Sequence, residues 1–250
     1  MHTLYLGPSW AVQSFESVGG LDDPVKTNLA QELELKDYTS LALYASNNFD
    51  QLYHARHFIQ HHPELAPFRI VFVAGNSLSH GYEIFNMSQI EFAKMFLTSN
   101  DPLVLVQSLE QKFYQQLVKL NVPVALIGAH TDVACQSHDN ITVIHPSWQN
   151  FLAQQCGVDS FYGWAADVAH SWLQGIIVLK VGAPEHFDLG TKPSATVVDE
   201  IHKILFKTWM EIEKHKLFRG VHPSILGNQL FAKEIKNDMD SWIKVTQSNK

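Results

Sequence analysis

The 250-residue chain is poor in cysteine: only Cys135 and Cys156 are present, in neither a CxxC nor a CxH setting. That excludes a disulfide framework and a thiolate zinc site, and both residues read as small buried hydrophobes. Basic excess is also lacking. Lys and Arg number 18 against 25 Asp and Glu, a formal net charge of −7, so nucleic acid is not an expected partner. No apolar run approaches the roughly 18 residues of a membrane span. The N-terminus, Met1-His2-Thr3-Leu4-Tyr5-Leu6-Gly7, has no basic n-region and too short an apolar stretch for a signal peptide, so a cytoplasmic protein is expected. Neither a GxxxxGK[ST] nor a GxGxxG loop occurs, which leaves no phosphate-binding cofactor site to expect. Repeats, low-complexity tracts and linkers are absent too. With 46% apolar and 17% charged residues, one ordinary globular domain over residues 1–250 is the economical reading.

What is present is alternation. Leu4 to Gly7, Thr39 to Tyr44, Arg69 to Ala74, Val122 to Ile127 and Ile141 to Ile144 are short apolar runs that read as strands. Helices are predicted over Pro24 to Leu35, with Asp23 as cap and Pro24 in the first position, and over Asn48 to His61. Further helical patterns run over Ser88 to Phe96, Pro102 to Leu120, Ser147 to Gln155, Trp164 to Leu173, Ala195 to His215 and Ser224 to Trp242, with Ile176 to Val181 a candidate sixth strand. Strand–helix alternation with apolar strands predicts an α/β fold, a parallel sheet of about five strands covered on both faces in three layers, αβα.

Such sheets bind ligands beyond the carboxyl ends of their strands. The residues that follow each strand are therefore the informative ones. After the first comes Gly7-Pro8-Ser9-Trp10-Ala11. A serine there either caps a helix or presents its hydroxyl at the sheet edge as a nucleophile. After the second comes Ala45-Ser46-Asn47-Asn48, small and amide residues that suit a turn. After the third comes Gly75-Asn76-Ser77, a turn in one reading and an oxyanion donor, Asn76, in the other. Near the C-terminus, Pro223 restricts His222 to an extended backbone and opens a helix. His222 is then a surface residue or a base.

Taken in order, the serine, the small-residue turn, the Gly-Asn and the His-Pro resemble the arrangement of the SGNH hydrolases, also called GDSL esterases and lipases. Asn28 to Ala42 resembles the family's first helix and second strand, Ser46-Asn47-Asn48 its amide-rich turn, and His222-Pro223-Ser224-Ile225-Leu226-Gly227-Asn228 its His-Pro segment. The resemblance runs from Tyr5 to about Ile235. It implies a flavodoxin-like sheet in a single SGNH-type domain, with a mostly helical insertion around 157–215 long enough to form a lid. It implies Ser9 as nucleophile and His222 as its base, with the Ser9 N–H, the N–H near Ala45 and the Asn76 side chain holding the oxyanion. The implied reaction is cleavage of a small acyl ester or acylated sugar through an acyl-enzyme, without cofactor or metal.

Three residues depart from the family pattern. Pro8 stands where the family has Asp. Ala45, or else Ser46, stands where it has Gly. Arg219 stands three residues before the histidine, where an orienting Asp is usual. Either a backbone carbonyl orients the histidine, giving a Ser–His dyad, or a carboxylate arrives from elsewhere, with Asp132 and Asp188 as candidates; Asp167 with His170 repeats the Asp-x-x-His spacing inside a helical pattern. The departures define a rival reading, a catalytically impaired SGNH-fold protein retained as a binding or structural module. Elsewhere, His54, His57, His61 and His62 share one helix, either as a solvated face or as a metal site. Phe161, Tyr162, Trp164, Trp172, Phe206 and Trp209 belong to the core or to an apolar lid.

Overall fold

The computed structural model describes residues 1–12, 14–15, 24–25, 27–44, 46–75, 102–129, 133, 138–157, 215–219 and 222–248. Five strands form one parallel sheet: β1 (His2–Leu6), β2 (Tyr38–Ser40), β3 (Phe68–Ala74), β4 (Val124–Gly128) and β5 (Ile141–His145). Their spatial order is β2-β1-β3-β4-β5. This is the doubly wound, flavodoxin-like order, with its switch point between β1 and β3. In register, Tyr5 lies between Ser40 of β2 and Val71 of β3, and Val71 faces Ala125 of β4.

Every residue of β3 and β4 is buried, as are all of β1 after His2, which explains their unbroken apolar character. The two-residue period sorts these side chains into two layers. Tyr5, Val71, Val73, Ala125 and Ile127 join the core under α2 (Leu29–Glu32), α5 (Trp148–Gln155) and α6 (Ile225–Ser248). Leu4, Leu6, Ile70, Phe72, Val124 and Leu126 pack under α3 (Asn48–His61) and α4 (Pro102–Val118). Helix α6 buries Asn228, Phe231, Ala232, Ile235, Met239, Trp242 and Thr246, the stripe expected of a 3.6-residue period. The three-layer α/β expectation holds.

Individual boundaries are corrected. Pro24 does not open a helix: Pro24–Val25 pairs antiparallel with Ser14–Phe15. The helix starts at Leu29, because Asn28 accepts from the Gln31 N–H at 3.0 Å while the Gln31 side chain accepts from the Asn28 N–H at 3.0 Å. That capping box fixes the start more strongly than a proline, which also suits extended chain. The helix stops before Leu35, where Glu34 turns to φ 55°. Strand β2 ends at Ser40 rather than Tyr44, although Leu41 and Leu43 still donate to the carbonyls of Tyr5 and Gly7. Helix α6 runs past Trp242 to Ser248. The patterns at 88–96, 164–173 and 176–181, nearly all of 195–215, and the aromatics of the insertion lie outside the described residues.

At the amino end of the sheet, the buried Arg69 donates from Nε to Thr3 Oγ1 at 2.8 Å and sits 5.9 Å from the Trp242 ring centroid. Its Nη1 approaches the Ile243 carbonyl at 3.4 Å. Arg69 thus ties the C-terminal part of α6 to the edge of the sheet opposite Ser9. Among the described residues, no helix is long and apolar enough to cross a membrane.

Candidate active site

The carboxyl edge of the sheet begins with a turn that only glycine can make. Gly7 has φ +151°, and a Cβ there would lie 2.6 Å from the Ala11 Cβ and 2.8 Å from both the Val73 Cβ and carbonyl oxygen. Pro8 follows, buried, and its ring occupies the space left by Gly75: a Cβ on Gly75 would come within 2.6 Å of the Pro8 Cγ. The proline is therefore packed, not merely tolerated. Ser9 opens the short helix α1 (Ser9–Val12), closed by the Ala11 N–H donating to the Pro8 carbonyl at 2.8 Å. Trp10 anchors that helix. It meets Trp148 edge-on at 5.5 Å between centroids, and Trp148 stacks on Phe231 of α6 at 4.7 Å.

His222 arrives from the far end of the chain on a two-stranded ribbon, Phe218–Arg219 against His222–Pro223, in which Arg219 is directly opposite His222. The ribbon is fastened to α6 through Ser224. Its N–H donates to the Leu217 carbonyl at 3.0 Å, its hydroxyl to the Lys216 carbonyl at 2.6 Å, and its Oγ accepts from the Gly227 N–H at 3.1 Å. Gly227 has no room for a side chain, since a Cβ would strike the Leu217 carbonyl oxygen. The aromatic stack on one side and this cap on the other set α1 and the ribbon against the same helix.

The result is a distance of 2.8 Å between His222 Nε2 and Ser9 Oγ. Burial pushes the imidazole down from its ordinary 6.5 to about 4. It is thus neutral at pH 7, and the Ser9 hydroxyl donates to Nε2 when the ring proton sits on Nδ1. The serine hydroxyl meets the histidine, so the helix-cap alternative for Ser9 gives way to a hydroxyl–imidazole pair. A neutral imidazole within hydrogen-bond reach of a hydroxyl can accept its proton as that oxygen attacks an electrophile. The Ser9 N–H is one of the first-turn donors that a helix leaves without an internal acceptor.

The other candidate residues divide. Ala45 and Asn76 lie outside the described residues, as do Asp132, Asp188, Asp167 and His170. Their described neighbours are Tyr44, Ser46 and Gly75. On α3, His57 and His61 stack at 4.0 Å, His61 Nδ1 is 2.8 Å from the His57 carbonyl, and His62 pairs with Glu64 at 3.0 Å. Among the described residues no three metal-ligating side chains come together. Cys156 is half-buried with its thiol pushed up by burial, which fits the small-hydrophobe reading.

The sequence reading missed the roles of Gln51 and of Asn48, which it placed only in the turn after the second strand and at a helix start. Gln51 is fully buried, accepts from the Gly7 N–H at 3.1 Å and donates to Ser46 Oγ at 2.7 Å. Asn48 is buried and bonds both backbone groups of Gly75, at 2.8 Å to its N–H and 3.1 Å to its carbonyl. The signal was a pair of amides three residues apart on a predicted helix, which place both on one face. No family model, curated protein or solved structure matches the chain.

Proposed function

We propose that this protein is a serine hydrolase that cleaves a carboxylic ester through an acyl-enzyme, with Ser9 as nucleophile and His222 as base. The observation that carries the reading is the 2.8 Å contact between Ser9 Oγ and the Nε2 of a buried neutral imidazole at the carboxyl edge of a parallel sheet. In this scheme His222 takes the Ser9 proton as Oγ attacks the acyl carbon, then returns it to the leaving alkoxide. Water repeats the sequence and frees the acid. The Ser9 N–H and the residues assigned by the SGNH resemblance, Asn76 and the N–H near Ala45, would hold the oxyanion. Arg219 stands where the resemblance expects the orienting carboxylate, so His222 is oriented either by a backbone carbonyl, as a Ser–His dyad, or by a carboxylate from elsewhere in the chain. Its substrate class is the small acyl ester or acylated sugar that the resemblance implies.

The test is hydrolysis of p-nitrophenyl acetate and butyrate by the wild type, Ser9→Ala and His222→Ala. The expected outcome is turnover in the wild type and a fall of at least about 1,000-fold in kcat in each variant, with unchanged thermal unfolding. Inert wild type toward both esters and toward fluorophosphonate labelling of Ser9 would transfer support to the rival, a fold retained for binding.

A further inference from the structure

We propose that Gln51 and Asn48 of α3 are positioning residues for Ser9, holding the turns at the ends of β1, β2 and β3 in fixed relation. This rests on the serine-hydrolase reading and adds to it the part of the fold that sets the nucleophile's geometry.

The side chains in question are fully or almost fully buried, 0% exposed for Gln51 and 3% for Asn48. Buried amides destabilise a fold unless their polar atoms are matched. Here the matching partners lie at strand ends. The Gly7 N–H donates to Gln51 Oε1 at 3.1 Å; Gln51 Nε2 donates to Ser46 Oγ at 2.7 Å; the Ser46 hydroxyl donates to the Leu43 carbonyl at 2.8 Å. The Leu43 N–H then donates to the Gly7 carbonyl at 3.1 Å, closing the circuit on the residue where it began. The orientation of the amide is dictated, because the Gly7 N–H needs an oxygen opposite it. Both backbone groups of Gly7, at φ +151°, are thereby held in a conformation that a free chain would not keep.

Asn48 repeats the device one strand further on. It engages the N–H and the carbonyl of Gly75, and Gly75 is the residue against which the Pro8 ring packs. The segment 7–9 is thus gripped from two sides: through the Gly7 backbone by Gln51, and through Pro8 by the Gly75 that Asn48 holds. The buried backbone groups of Gly7 and Gly75 need partners for stability. That both partners stand on α3 also fixes placement. A shift of about 1 Å in a reacting group can cost on the order of 100-fold in rate.

The test compares Gln51→Glu, Asn48→Asp and the milder Ser46→Ala with Leu117→Ala, a buried residue of α4 in the same layer as α3. Gln51→Glu keeps size and the acceptor for Gly7 but loses the donor to Ser46 whenever the carboxyl is ionised. Each full-length variant is assayed for kcat and KM on p-nitrophenyl butyrate, and for melting temperature. Expected are kcat losses of about 10- to 100-fold for the two amide variants and about 3- to 10-fold for Ser46→Ala, with KM changed less than about threefold. Leu117→Ala, at a comparable loss of melting temperature, keeps its kcat. Gln51→Glu should also recover part of its kcat as pH is lowered toward 5, where the protonated acid regains the donor; the wild type shows no such rise. If the circuit variants lose no more kcat than Leu117→Ala, or change KM alone, the positioning role is overturned and the hydrolase reading stands. If the wild type shows no Ser9-dependent hydrolysis, both fall. Should Gln51→Glu fail to fold, Ser46→Ala decides by the same criterion.

Discussion

Changing the pH is the perturbation that addresses the Ser9–His222 pair most directly. Burial holds the His222 imidazole down to about 4. At pH 5 a histidine with that value is about 90% neutral, whereas one titrating at its ordinary 6.5 is about 3% neutral, a contrast of about 30-fold in available base. The assay is the second-order rate of Ser9 modification by a fluorophosphonate, followed by intact mass from pH 4 to 8. The rate at pH 5 is expected within about twofold of that at pH 7.5, and to halve near pH 4. A rate that instead halves near pH 6.5 would refute the burial argument, because the base would then be as solvated as a free side chain. The same shift bears on stability. His222 binds its proton in the unfolded chain first, so between pH 6.5 and about 4 the unfolded state carries more protons and stability falls as pH falls. The gap between those two values caps this contribution at about 3 kcal/mol, less for a side chain that is only partly buried.

Arg219 is the register partner of His222 in the ribbon, and directly opposed positions are those at which a new charge acts most strongly. Arg219→Asp is expected to move the pH midpoint of Ser9 modification upward, because a carboxylate favours the imidazolium, and to raise kcat; an unmoved midpoint refutes the idea that this position can orient the base. Gly7→Ala forces an L-residue to φ +151° and drives its Cβ to 2.6 Å from Ala11. Urea unfolding should report a loss of about 2–5 kcal/mol, and a loss below about 1 kcal/mol would mean the turn can relax. Gly75→Ala collides with the Pro8 ring and should cost about 1–3 kcal/mol. Adding Pro8→Ala to the same chain should recover part of that loss, and strict additivity in the double-variant cycle would show that the two residues do not share the space.

The sheet was largely legible because its strands are buried on both faces, and burial on both faces writes itself as runs such as Ile70-Val71-Phe72-Val73. Helices with a strong cap or stripe were legible too: α3 was read with its observed bounds, Asn48–His61. The error at Pro24 arose because proline is compatible with both a helix start and a strand edge, while the deciding capping box at Asn28 and Gln31 needs a side-chain geometry that pattern does not carry. The end of α6 was missed because Thr246 is a polar residue buried against Arg69, outside any apolar stripe. At the site, the chemistry-bearing types could be singled out from their places after strands. Their separation could not be, because 2.8 Å between residues 9 and 222 depends on the Trp10–Trp148–Phe231 stack, which joins three distant parts of the chain, as well as on the Ser224 cap.

That construction bears on the choice between catalysis and a fold kept for binding. Pro8 and Arg219 look alike as departures, yet they act differently. Pro8 is compensated: Gly75 vacates the volume its ring fills, and Ser9 keeps both its N–H and its 2.8 Å contact with His222. Arg219 is a difference of charge: a cation stands where the SGNH resemblance expects an acid. A base that is buried and neutral needs less help than a solvated one to remain unprotonated at pH 7, but it gains less from taking a proton. The expected consequence is a hydrolase whose nucleophile is well placed and whose base is weak. Removal of the Ser9 proton would then limit the rate for every ester, because an imidazolium that gives up its proton readily protonates a leaving alkoxide without difficulty. Measuring kcat/KM across leaving groups of rising pKa tests this. A shallow dependence supports a weak base that is limited at attack. A steep decline would mean that His222 does not protonate the leaving group, and would refute its proposed role as acid in that step.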